Sequence, residues 1–184
     1  MRIKSFVATA LVGLLLSGTA MAEEGWFDQI FGRHKEVRPV DNKQYKDECG
    51  SCHFAYQPGL LPAKSWELLL NEKALADHFG ENAELDKAVL ASIYDYTMAN
   101  SADKSNYKRS RKIDLATEGV NPAPIRITEV RYIKRKHHEI PAKMIKDNKD
   151  VKSLSMCDTC HTKAAEGVFD SDTVKIPNFP DWDD

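Results

Sequence analysis

Cys49-Gly50-Ser51-Cys52-His53 and Cys157-Asp158-Thr159-Cys160-His161 decide how this chain is read. Each spells C-x-x-C-H, the attachment signal of a c-type haem. The spacing follows from chemistry. On a helical turn, thiols at i and i+3 lie on one side, so both can add to the vinyl groups of one porphyrin. The histidine that follows can then meet the iron as its proximal ligand. The two copies use all four cysteines of the chain, which points to two covalently bound haem c groups.

Other uses of paired cysteines fit less well. A zinc ribbon also has C-x-x-C knuckles, but usually close in sequence; here 104 residues separate Cys52 from Cys157. Zinc would also leave the trailing histidines without a reason. A thioredoxin-like pair needs a βαβ setting, which neither motif has. Structural disulfides are compatible with an oxidising compartment but ignore the histidines.

The chain opens as an exported protein. Arg2 and Lys4 precede an apolar run from Phe6 to Leu16, and Ala20-x-Ala22 is a small-residue cleavage site, so residues 1–22 read as a secretory signal peptide. The run is well short of the roughly 20 residues a membrane span needs. The expected location is therefore the periplasm, where c-type haems are attached, with no membrane span in the mature chain. That mature chain has 162 residues, read as an N-terminal haem c domain over 23–102 and a C-terminal one over 103–184. Neither half would bury much core unaided. A porphyrin supplies the missing apolar plate.

The pattern of the chain is mainly helical. Trp26, Phe27, Ile30 and Phe31 form a short apolar cluster. Asn42 to Cys52 reads as a helix leading into the first motif, with Tyr45, Cys49 and Cys52 on one face. After a Pro/Gly-punctuated loop, Trp66, Leu69, Leu70 and Ala74 form a stripe that His78 extends, and Gly80 ends that helix. His78 is therefore a candidate distal ligand for the first haem. Asn82 is expected to cap a helix from about Ala83 to Ala99, whose Met98 is a rival ligand. Haem, helix, helix in this order resembles a class I cytochrome c unit. Ser105 to Ile125 reads as irregular. A further helix from Thr128 to His138 places His137 with Val130, Ile133 and Ile140 on its apolar side, and turns His138 away by about 100°. His137 is thus the candidate distal ligand of the second haem, with His138 and His34 as alternates. In the acidic tail, Phe179 and Trp182 are expected to lie on the second haem unit.

Charge is unevenly spread. Residues 103–152 hold 14 Lys/Arg against 7 Asp/Glu, a net of +7, whereas residues 23–102 carry −6 and residues 153–184 carry −5. A basic middle of this kind serves haem propionates, a partner surface or plain solvation. No nucleic-acid module is recognisable.

The residues around the motifs resemble the bacterial dihaem cytochrome c family of the DHC type. Glu48-Cys49-Gly50-Ser51-Cys52-His53-Phe54-Ala55-Tyr56, Leu60-Leu61-Pro62-Ala63-Lys64-Ser65-Trp66 and His78-Phe79-Gly80-Glu81-Asn82-Ala83 carry the likeness. Arg126-Ile127-Thr128, His137 to Pro141 and Cys157 to His161 continue it. The resemblance implies a periplasmic electron carrier with two bis-histidine haems, class I-like in its N-terminal part and less regular around the second haem. It also implies redox partner proteins: a membrane b-type cytochrome as donor and a soluble c-type haem protein as acceptor.

The expected site is therefore Cys49, Cys52, Cys157 and Cys160 on the haems, with His53, His78, His137 and His161 on iron and no catalytic residue. Iron with two side-chain ligands has no open position for oxygen or peroxide. A monomeric carrier is expected. The alternatives are the small dihaem subunit of periplasmic nitrate reductase, which would copurify with a large molybdenum protein, and a dihaem peroxidase. The peroxidase, like a haem-based gas sensor, would need an open iron site.

Overall fold

A computed structural model describes residues 35–182. The signal segment, the Trp26 to Phe31 cluster and His34 lie outside the described residues. Seven α-helices occur among them: α1 Lys43–Cys49, α2 Ala63–Leu69, α3 Glu72–Ala76, α4 Lys87–Asn100, α5 Lys108–Thr117, α6 Arg131–Lys136 and α7 Cys157–Cys160. Short 3₁₀ turns join them, and extended pairing is limited to isolated bridges among the described residues. No helix among them is long and apolar enough to cross a membrane.

The helix starts and stops follow local chemistry. Asn42 caps α1 by accepting a hydrogen bond from the Tyr45 amide at 2.9 Å, which satisfies one of the orphan donors of the first turn. The single helix expected through Ala74 is broken into α2 and α3. Asn71 is the cause: its side-chain amide donates back to the Leu68 carbonyl at 3.0 Å, while its oxygen accepts from the Ala74 amide at 3.0 Å. The same residue ends one helix and starts the next. His78 consequently lies beyond α3, in a turn closed by a bridge to Glu81, rather than one helical turn further along the stripe. Asn82 likewise accepts from the Glu84 amide in a turn, and α4 begins only at Lys87.

Helix α5 is absent from the sequence expectation, which made Ser105 to Ile125 irregular. Its buried face consists of Ser110, Ile113 and Thr117, so no apolar stripe announces it. Small residues serve because α5 crosses the Pro58–Leu60 turn closely. A β-carbon on Gly59 would come within 2.5 Å of Ser110 Oγ.

The core gathers Tyr45, Leu61, Trp66, Ile93, Ile113 and Val130, all at most 6% exposed. Met98 is half-buried and packs on this cluster. The start of the described chain is tied to the turn after α7. The Glu36 and Val37 amides donate to the Gly167 carbonyl at 2.7 and 3.1 Å. Gly167 sits at φ 78° with Val37 O only 2.1 Å from where a β-carbon would be, so only glycine fits there.

Candidate functional site

The first motif is delivered by the C-terminus of α1. Cys49 is half-buried, Cys52 is exposed, and His53 follows after the Gly50 cap. The imidazoles of His53 and His78 lie 6.4 Å apart, centre to centre, with their planes 22° apart. His53 Nδ1 donates to the Phe54 carbonyl at 2.8 Å. A carbonyl can only accept, so Nδ1 carries the proton and Nε2 keeps its lone pair. His78 is held by its backbone bonds to Glu81 and by its neighbour Phe79, whose ring carries Arg126 at 3.8 Å. Burial, then His53 and Arg126, hold the His78 imidazole below its usual range. A neutral ring is what a metal requires.

The second motif forms α7 itself, with the His161 amide donating to the Cys157 carbonyl at 2.8 Å. The tail fixes it from outside: the Lys175 amide donates to the Cys160 carbonyl at 2.8 Å, and His161 bridges to Val174. The imidazoles of His137 and His161 lie 6.0 Å apart with planes at 74°. His137 stands at the end of α6, where its Nδ1 donates to the Ile133 carbonyl at 2.9 Å, again leaving Nε2 free. His138 faces outward at the rim, 65% exposed and 3.6 Å from the Glu139 carboxylate. Phe169 packs against His161 at 5.2 Å.

A cleft of about 410 Å³ opens at this second pair, within the range of small-molecule and cofactor sites. Ile133, Ile140, Ile176 and Trp182 line it, with Lys108, Lys112, Lys134 and Lys136 on its walls. Trp182 thus reaches the second site, while Phe179 packs under Lys143.

Both pairs suit a haem. A metal bound at about 2 Å by each of two imidazole nitrogens holds the ring centres about 6 Å apart. No three of His, Cys, Asp and Glu converge as a lone ion would require among the described residues. With two protein donors per site, the remaining donors are those a porphyrin supplies. All four cysteines are unpaired. Burial, helped by Glu48, pushes the Cys49 thiol up to about 11, and burial with Asp158 pushes Cys157 up to about 12.

Comparison with known proteins decides the family. Residues 45–169 match the model of the dihaem cytochrome c family. The chain belongs to the dihaem cytochrome c family. Membership brings two haem c groups, and the two C-x-x-C-H motifs account for both. A dihaem cytochrome c of Shewanella baltica OS155 is 40% identical, with a TM-score of 0.63 over 78% of this chain and 99% of that one. A dihaem cytochrome c of Rhodobacter sphaeroides is 38% identical, with a TM-score of 0.60 over 71% and 98%. No curated protein sequence matches the chain. The function that accompanies this dihaem cytochrome c fold is electron transfer.

Sequence reasoning missed Phe169, Arg109 and Gln57. Arg109 is joined to Glu36 at 2.5 Å and donates to the Phe169 carbonyl at 3.0 Å. None of these residues stands in a recognisable motif; only their contacts across the fold single them out.

Proposed function

We propose that this dihaem cytochrome c is a periplasmic electron carrier with two bis-histidine haems and no substrate of its own. His53 and His78 hold the first iron, and His137 and His161 the second. Cys49 and Cys52, then Cys157 and Cys160, form the thioethers within haem units over 23–102 and 103–184. The observation that carries this reading is the pairing of the imidazoles at 6.4 and 6.0 Å, each about one metal-bridged spacing. The haems supply one-electron chemistry between ferric and ferrous iron.

The residues do the rest. His53 and His137 are oriented by their Nδ1 bonds to backbone carbonyls, a contact that fixes the ring and raises its basicity. A strong nitrogen donor on each side favours the ferric state relative to Met/His ligation and leaves no open position. Lys108, Lys112, Lys134 and Lys136 give the second cleft a basic wall that suits haem propionates and an acidic partner surface. The family resemblance supports a membrane b-type cytochrome as donor and a soluble c-type haem protein as acceptor, with the carrier a monomer.

Single substitutions test the ligand set. His78→Ala should give a high-spin signal from the first haem and His137→Ala one from the second, whereas His138→Ala should leave both low-spin. High-spin iron in His138→Ala, with His137→Ala unaffected, would move the ligand to His138.

A further inference from the structure

The loop after the first motif reaches both flanks of the second. The Tyr56 hydroxyl donates to the carbonyl of Ser155, two residues before Cys157. The Gln57 side-chain amide donates at 2.5 Å to the carbonyl of Ala164, three residues after His161. These bonds span 99 and 107 residues of sequence. On the other side, the Tyr56 ring lies on His53 with centres 4.9 Å apart and planes 31° apart. The Tyr56 carbonyl accepts from the Tyr45 hydroxyl at 2.7 Å, one turn before Cys49. Two consecutive residues thus bracket the second site, and Tyr56 also touches the first.

Gln57 adds a second indication. It is 1% exposed, and its Oε1 has no hydrogen-bond partner among the described residues. A buried orphan oxygen is costly, and an apolar side chain of similar volume would avoid it. The amide has one bond to show for that cost, the one to Ala164.

We propose that Tyr56 and Gln57 are positioning residues that hold the second C-x-x-C-H motif against the first and thereby set the rate of electron transfer between the two haems. The proposal rests on the two-haem carrier reading above. Electron tunnelling falls exponentially with distance, so two hydrogen bonds that hold the motifs at close spacing keep a rate that falls when their loss lets the motifs move apart. Neither residue is oxidised: one electron leaves ferrous iron and reduces the neighbouring ferric iron, and the phenol keeps its proton.

The test uses the full holoprotein in three forms: Tyr56→Phe, which keeps the ring on His53 and loses only the hydroxyl; Gln57→Leu; and the double variant. Each is half-reduced, and the exchange of the electron between haems is followed by nuclear magnetic resonance, with the distance between the two ferric spins taken from pulsed electron paramagnetic resonance. The double variant should exchange slower by roughly tenfold or more and show a spin–spin distance shifted to longer values. Each haem should keep its wild-type potential and low-spin spectrum. Tyr56→Phe should show a smaller fall in the same direction, and it answers the question if the double variant does not fold. An unchanged exchange rate with only a lowered melting temperature would overturn the proposal. Wild-type protein without two low-spin haems would instead remove the carrier reading itself.

Discussion

Arg109 and Glu36 form an ion pair at 2.5 Å across 73 residues of sequence, with side chains only 12% and 10% exposed. Around this pair the fold closes. The Phe169 amide donates to the same Glu36 oxygen at 3.2 Å, and Arg109 also reaches the Tyr132 hydroxyl at 3.2 Å. Phe169 in turn packs on His161. The pair therefore links the start of the described chain, α5, α6 and the second haem motif. Removing one partner leaves a buried charge alone, which costs about 3–5 kcal/mol. Arg109→Met should lower unfolding free energy by that amount in denaturant titrations. Glu36→Leu added to it should restore a good part, since no buried charge then remains.

Asp103 should give the protein a local acid-limb dependence. Its carboxylate accepts from the Ala63 amide at 2.7 Å, capping α2 from 40 residues away. Burial acts to raise its pKa, but the bonds from Ala63 and Ser101 outweigh it and hold the carboxyl below its ordinary 3.8. A depressed folded value means the contribution is fully present above the unfolded pKa. It is lost as pH falls below 3.8 through the folded value. Asp103→Asn should thus be less stable by roughly 1 kcal/mol near neutrality, the size of a helix cap. The gap should close in thermal melts taken below the ordinary carboxylate range.

The basic wall of the second cleft makes a kinetic prediction. Lys134 and Lys136 line it and make no ion pair among the described residues. Steering charges raise association rates and are screened by salt. Electron transfer to an acidic partner should therefore slow as salt rises. Lys134→Glu with Lys136→Glu should lower the second-order rate and flatten that salt dependence, with both haem spectra unchanged. A rate indifferent to salt in stopped-flow mixing would leave these lysines as a solvated face.

The two haem motifs were more legible than the fold that holds them. Both C-x-x-C-H motifs and the helical class follow from local spacing. His137 is half-buried and His138 exposed, as their spacing from the buried Val130 and Ile133 suggested. The expected helix from Thr128 to His138 is only Arg131–Lys136, with Val130 and His137 just outside its ends. His78 was singled out by a helical row that does not exist; it stands beside His53 through a turn closed on Glu81. Helix α5 was invisible because a close crossing over Gly59 favours serine and threonine over leucine. The Tyr56, Gln57 and Arg109 contacts are long-range pairings, and a single sequence carries no period or spacing that reports them.

The most direct test of the central claim is an electron paramagnetic resonance spectrum of the fully oxidised protein. Nearly parallel imidazole planes split the iron orbitals they share, whereas nearly perpendicular planes leave them close in energy. With planes at 22° for His53/His78 and 74° for His137/His161, two low-spin ferric signals of equal weight are predicted. One should be rhombic and the other more strongly anisotropic, and the absorption spectrum of the same sample should lack the near-infrared band of iron–methionine bonding. A high-spin signal from either haem, or a methionine band implicating Met98, would contradict the account.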